Sequence, residues 1–380
     1  MKGSIYKFAC LSLAAPLLAF AQVKSSAPTR YQASTKQETE TASEQMTMIT
    51  PSVSPVVDHG YNVFITADFI YWTARVNNLD YAQTGVGLLK NASQFNGTSN
   101  SNAIATQGRQ YHANHKMSPG FKVGIGCDLH HDGWDTYFHY TWLRNKASSN
   151  ETLGTNAISL WHYAPITNFS TYTTVAGHAN TSWRLHFNVL DWELGRDFYI
   201  SPRLLLRPHF GLKGSWQTQH NDVAFTSLTD TVGSTITTGS YTITQKQSYW
   251  GLGVRSGLNT AWKFDRNWSI FGDVALAALW SQFKNSRTDT ATQSATATSF
   301  TNLQVTNLRS HTHTVAPVLE WDLGLRWDYW FCDDDYRIRI QAGWEEQVWF
   351  DQNYFTALGA TNRTGALTLQ GLTLDFRFDF

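Results

Sequence analysis

Arg203, Arg207, His209 and Lys213 are spaced by even numbers of residues, so in an extended chain they share one face. Glu320, Asp322, Arg326 and Asp328 form a second such row, mostly acidic, and Asp375, Arg377 and Asp379 a third. Rows of this kind break no bonds. Facing each other across water, they set a transverse field that orients polar solutes and sorts ions by sign. The structural alternative is that opposite charges pair and fill a narrow interior. Asp328 and Arg337, across one short turn, are expected to pair in that way.

Bond-making chemistry finds less support. His311 and His313 share a strand face, and His112 and His115 stand near each other, but no carboxylate or cysteine lies at metal-ligand spacing. Two G-x-G stretches, GIGCDLH and GLGVRSG, fall within strand patterns and open no helix, so they cradle no phosphate. H-E-x-x-H and G-x-S-x-G are absent. No enzyme activity, metal or cofactor is expected.

What would position the charged rows is a set of ten segments with period-2 patterning. They lie near 62–75, 118–130, 134–145, 182–197, 203–217, 248–262, 268–282, 314–329, 336–348 and 366–380. In the second, Phe121, Val123, Ile125, Cys127 and Leu129 oppose Lys122, Gly124, Gly126, Asp128 and His130. In the eighth, Leu319, Trp321, Leu323, Leu325, Trp327 and Tyr329 oppose the charged row. The fourth exchanges its apolar face between Val189 and Leu190, which reads as a bulge or bend.

Composition decides what the apolar faces touch. Aromatics make up 14% of the 380 residues, charged residues only 15%, and formal net charge is zero. The balanced charge gives no basic excess for nucleic acid. Beyond the N-terminus no apolar run approaches the roughly 18–20 residues of a spanning helix. Many aromatics with alternation and no long apolar run fit a transmembrane β-barrel; a soluble, aromatic-rich β protein is the rival. Lys2 and Lys7, an apolar stretch and Ala19-Phe20-Ala21 make a secretory signal peptide over 1–21. Residues 22–60 are polar, lack apolar periodicity and read as a periplasmic tether.

Link lengths favour the barrel. HHDG (130–133), FYISP (198–202), KFDRN (263–267) and FCDDD (331–335) are short. The links at 76–117, 146–181, 218–247 and 283–313 are long, and the one at 349–365 is intermediate. Short periplasmic turns alternating with long external loops belong to up-and-down outer-membrane barrels. The expected fold is therefore all-β: a transmembrane antiparallel barrel over 61–380 with about ten strands or twelve, in which Thr-rich stretches such as 241–247 and 300–308 extend strands or add them. Trp268 and Trp280 share the outward face of the seventh segment, on the order of 30 Å apart along the membrane normal. With Trp321 and Trp327 they are expected in aromatic girdles at the two interfaces. The last ten residues, GLTLDFRFDF, put Leu372, Leu374, Phe376, Phe378 and Phe380 on one face. Such a strand should close the barrel against Phe64–Trp72.

ADFIYWTARVNNLDYA (67–82), SPGFKVGIGCDLHHDGWDTYFHYTWL (118–143), LDWELGRDFYISPRLLLRPHFGLKGSW (190–216) and SIFGDVALAALW (269–280) resemble the major-outer-membrane-protein-like porins of Legionella and chlamydia-related bacteria. The resemblance covers most of the strand regions. It implies a surface-exposed, pore-forming protein of the Gram-negative outer membrane. Outer-membrane barrels as a group also end on an aromatic read by the barrel-assembly machinery, which would make Leu372, Phe376, Phe378 and Phe380 an insertion signal. Chlamydial major porins are richer in cysteine and cross-linked. Once Cys10 leaves with the signal peptide, Cys127 and Cys332 alone remain, as candidates for pairing between chains. Some ten-stranded barrels are rim proteases using Asp and His, and no such pair matches here. Passive diffusion of small hydrophilic solutes and ions is the expected function. The alternative is a structural or adhesive barrel with a plugged lumen. Membrane lipid is an expected partner, and self-association stays open.

Overall fold

The computed structural model describes residues 62–84, 86–88, 104–106, 108–129, 133–153, 157–161, 177–232, 235–294, 300–332, 334–357 and 364–380. The expected signal peptide and tether lie outside the described residues. Among these residues ten long antiparallel strands form one closed ring: β1 (Val63–Val76), β2 (Met117–Asp128), β3 (Trp134–Thr152), β4 (His178–Arg196), β5 (Leu204–Val232), β6 (Thr235–Lys263), β7 (Trp268–Ser294), β8 (Phe300–Phe331), β9 (Tyr336–Asn353) and β10 (Gly365–Asp379). Each pairs with its chain neighbours, and β10 closes on β1 with Phe64 opposite Asp379 and Trp72 opposite Gly371. Val63 and Phe380 exchange both backbone hydrogen bonds, at 3.1 and 3.0 Å. The expected terminal closure is present.

Outward faces follow the alternation. Phe121, Val123 and Ile125 on β2 with Leu129 just beyond it, Ile270, Val274 and Leu276 on β7, and Leu323 and Leu325 on β8 are all exposed. Their partners across the pleat line the interior. Trp268 sits opposite Trp327 near the short-turn rim, and Trp280 stands twelve residues up the same face. Trp321 corrects one expectation. It lies opposite Val274, midway between those two tryptophans, and so belongs to the apolar band and not to a girdle. Alternation fixes which side a residue faces and is silent on its height. Near the short-turn rim Trp327, Tyr329, Phe331, Tyr336, Phe378 and Phe380 stack in succession at 5.6–6.4 Å.

Two expected long loops are strand instead. Most of 218–247 is a continuation of β5 and β6, and most of 283–313 of β7 and β8, giving strands of 27–32 residues. These extensions carry period-2 order of the opposite sense. Val223, Phe225, Tyr241, Ile243, Phe283 and Ala291 are buried inside, whereas Lys246, Lys284, Arg309 and His311 are exposed outside. Beyond the upper tryptophans the outer wall meets water, so the apolar side turns inward.

The same inversion removes the expected bulge in β4. Its pairing with β3 and β5 runs without a register shift from His178 to Gly195. Trp183, Leu185, Phe187, Val189, Asp191 and Glu193 all face inward, and Leu190 faces out. What changes at Val189 is the interior, from apolar to charged; the chain keeps its face. Short strands at 110–111 and 157–159 each pair with 82–84 beside the upper strands, where the Tyr81 hydroxyl donates to Ser149 and the Trp161 carbonyl accepts from Arg287, and 86–88 pairs with 104–106.

Gly211 shows how closely the wall is packed, since a Cβ there would overlap the Trp192 carbonyl oxygen. Gly211→Val should destabilise the barrel by about 1–3 kcal/mol. The check is the folded fraction after detergent refolding, read as the heat-modifiable band, with Gly214→Ala as the control. A Cβ at Gly214 meets only ordinary 3.8 Å contacts, so that variant should refold normally.

Candidate functional site

Inside the short-turn half of the barrel lies a chamber of ≈ 210 Å³ walled by charge. Arg207 forks onto Asp135, with Nε to Oδ2 at 2.7 Å and Nη2 to Oδ1 at 2.5 Å, and its Nη1 reaches Glu193 at 3.1 Å and Asn259 at 2.8 Å. Arg255 bridges Glu193 and Glu320, the latter at 2.9 Å. Lys213, with 1% of its side chain exposed, sits between Asp191 at 2.8 Å and Glu320 at 2.7 Å. His139 approaches Asp191 at 3.1 Å. Lys122 pairs with Glu345, which also accepts from Thr373. Nearer the periplasmic rim Asp379 takes Arg337 at 2.9 Å and Arg377 at 2.6 Å, and Asp328 takes Arg339 at 3.1 Å.

The expected row on β5 is thus mostly brought inside, but as one side of a paired network. Arg207, His209 and Lys213 face inward. Arg203 does not reach the chamber. It precedes β5 in an exposed periplasmic turn, where no wall curls over it. Glu320 crosses to Lys213 and Arg255, so the acidic row meets the basic one directly. Asp322 and Asp375 line the chamber, and Arg326 donates to Gln341 at 2.6 Å. The expected Asp328–Arg337 pair forms at 3.7 Å, with Asp379 the nearer partner of Arg337. Asp68, Asp273, Asp322 and Asp375 each keep one buried carboxylate oxygen with no hydrogen-bond partner among the described residues. Cys127 and Cys332 are free thiols, the first half-buried at the end of β2 and the second exposed in a turn.

Above the chamber the lumen changes character. Trp72, Trp183, Phe187, Tyr249, Phe283 and Trp349 are buried inside the ring and make an aromatic collar. Phe187 and Tyr249 both meet Trp349 edge-on, at 5.5 and 6.4 Å, and Phe283 lies 4.9 Å from Tyr249. Lys122 and Lys213 mark the boundary, lying over the Trp72 and Trp349 rings at 4.9 and 5.8 Å. Each ammonium is held between carboxylates below and a ring face above.

A strap completes the seal. At Asp351 the backbone takes φ 49°, register with β10 breaks between Trp349 and Asn353, and residues 352–356 fold into the lumen. The opposite wall receives them with amides. Gln247 donates to the Gln352 carbonyl at 2.7 Å and accepts from the Tyr354 N–H at 2.8 Å. Gln352 donates to Gln217 at 3.0 Å, and Asn285 donates to the Tyr354 carbonyl at 2.7 Å. Arg287 holds the Thr356 and Trp161 carbonyls at 2.9 and 2.8 Å while pairing with Asp289. Burial and then the Asp289 carboxylate, which accepts from its hydroxyl at 2.7 Å, push the Tyr241 phenol above its ordinary range. Collar and strap are absent from the sequence expectations. The signals that mark them are the inward run Gln217, Gln219, Asn221 facing Gln245 and Gln247, and the aromatic pair Tyr354-Phe355 inside a polar link.

Arg255→Met removes one of the two cationic partners of each of two buried carboxylates, Glu193 and Glu320. It should cost about 3–5 kcal/mol, because the charges left behind lose compensation without regaining water. Urea unfolding in lipid vesicles, followed by tryptophan fluorescence, measures it.

The family described as the Legionella pneumophila major outer membrane protein precursor matches residues 54–380. A search of the curated proteins gives no match. Among solved structures, the Pseudomonas putida toluene transporter TodX shares 9% identity over 87% of this chain and 95% of its own, with a TM-score of 0.26. A TodX deltaS2S3 mutant monoaromatic hydrocarbon channel shares 9% over 87% and 92%, at 0.27. A Pseudomonas aeruginosa FadL homologue shares 8% over 84% and 89%, at 0.24. Scores this low lend no weight to any functional reading. The match along residues 54–380 and the lipid-facing ten-stranded ring agree, and the chain belongs to the family of the Legionella pneumophila major outer membrane protein, located in the bacterial outer membrane.

Proposed function

We propose that this protein is a channel for small hydrophilic solutes with a preference for cations, and that the strap is its gate. The observation that carries the reading is the acid surplus of the chamber. Eleven Asp and Glu residues line it against seven Lys and Arg. A chamber enclosed by low-dielectric walls concentrates ions of the opposite sign. Unpartnered carboxylate oxygens on Asp68, Asp197, Asp273, Asp322 and Asp375 supply coordination that the protein leaves unused. No chemistry is required, since rate follows from opening width and wall charge.

The gate follows from how the seal is built. Its collar comes from the wall, but residues 352–356 enter from one side and are held largely by side-chain amides. Such bonds contribute about 0.5–1.5 kcal/mol each, so a strap held by several of them opens without unfolding the ring. The burial of Trp72, Trp183 and Trp349 favours a second reading, a permanently plugged surface barrel working through its external segments.

Planar-bilayer recording separates the two. The channel reading expects discrete, infrequent conductance steps, and Gln247→Ala with Asn285→Ala should lengthen the open time several-fold. Silence from both folded proteins favours the plugged barrel. Under a salt gradient, Asp68→Asn with Asp322→Asn should move the reversal potential toward lower cation preference. An unmoved potential removes the chamber from the conducting path.

A further inference from the structure

Just above the tryptophans of the external side, the outer wall carries a belt of cations whose alignment the strand register fixes. Trp142, Trp216 and Trp250 lie in one register row across β3 to β6. Two residues further up each strand, Arg144 stands opposite His186, and Lys284 opposite His311. In the next outward row, Lys146 opposes Arg184, Arg184 opposes His220, and His220 opposes Lys246; Ser286 then leads to Arg309. The two rows cross six strands, β3 to β8, and none of their twelve positions is a carboxylate. One acid stands close by, Asp222, which pairs with Arg184 at 2.8 Å.

Chance placement explains this poorly. Formal net charge over the chain is zero, and the cations that face the barrel interior are mostly paired there. Lys146 and Arg184, directly opposite on neighbouring strands, repel, and the fold offsets that cost internally only through Asp222 at Arg184. Lys146, Lys246, Lys284 and Arg309 are exposed, so their charged ends are open to a ligand, and the exposed Arg184 offers the donors that its pair with Asp222 leaves. Partial burial and then Lys246 and Arg184 hold the His220 imidazole below its ordinary range. Arg144 also lies 5.0 Å over the Trp142 ring, tying the belt to the interfacial aromatics. The short-turn rim differs, with Arg203, Lys263 and Arg266 interspersed with Asp197, Asp265, Asp334 and Asp335.

We propose that this belt binds the phosphate-bearing headgroups of anionic lipids in the external leaflet. The height argues for a lipid, because the rows begin about 5 Å above the girdle, where headgroups lie. The chemistry argues for phosphate, because guanidinium forks and ammonium groups spaced about 5 Å apart across strands reach several phosphate oxygens together. The belt stops where β9, β10 and β1 are short, so bound lipid would gather along the β3–β8 flank.

The test uses the full chain in neutral detergent doped with equal amounts of phosphatidylglycerol and phosphatidylcholine, with the co-eluting lipid quantified. The wild type should retain the anionic lipid about tenfold over the zwitterionic one, and lose that preference in high salt. Lys146→Gln, Arg184→Gln, Lys246→Gln and Lys284→Gln together should abolish the preference. Heat-modifiability reports whether the variant folds. Lys146→Arg with Lys246→Arg should keep the preference, which separates charge from packing. Equal retention by the folded neutral variant overturns the proposal. So does displacement by millimolar inorganic phosphate, which marks a free-anion site. Binding of a soluble anionic polysaccharide as tight in the absence of lipid also overturns it.

Discussion

Hydrocarbon offers a backbone amide no partner, and the other features of this molecule follow from that. A sheet in lipid has to close on itself. Ten strands close into a ring whose inner face is too narrow to stay empty. Charged side chains placed inside such a ring lie within reach of one another. Arg207, Arg255 and Lys213 therefore each contact two carboxylates, and Glu320 of β8 can touch Lys213 of β5. The interior network is the filling that closure demands, and its acid surplus is what the proposed channel would offer a passing ion.

The wall obeys one rule with two outcomes. Where lipid surrounds it, apolar side chains point out and charges point in. Above Trp216, Trp250 and Trp280 water surrounds it, and the same strands carry Val223, Phe225, Ile243 and Phe283 inside with Lys246 and Lys284 outside. The aromatic collar is thus the core of a water-exposed upper barrel stacked on the charged lumen of a membrane-embedded one. The tryptophan row marks where the two environments meet.

Much of this is legible in residue order. Alternation places the outward residues of β2, β5, β7, β8 and β10 on the correct side, and short links locate the turns. A final patterned strand implies closure against the first. Other features escape because a period-2 pattern carries no label for which side is wet. The segment 218–247 looks like loop because its outer face is Thr, His, Asp and Lys, although Tyr241, Ile243 and Gln245 keep the alternation of a strand. In β4 the apolar run ending at Val189 reads as a change of face when it is a change of surroundings. Height is equally invisible, as Trp321 shows. Interior partners such as Gln247 and Gln352 are 105 residues apart and meet only when the ring closes.

The strap is hinged and latched on different walls. It leaves β9, which belongs to the low flank, and fastens to Gln217, Gln245, Gln247, Asn285 and Arg287 on the high one. Those carboxamides and that guanidinium cannot serve two guests at once. A solute carrying amide-like or hydroxyl groups would have to take the place of the strap on the same donors. Its apparent affinity would be discounted by the fraction of molecules already unlatched. Occupancy and opening would then be one equilibrium viewed from two sides, and a permeant able to make those bonds would serve as its own key.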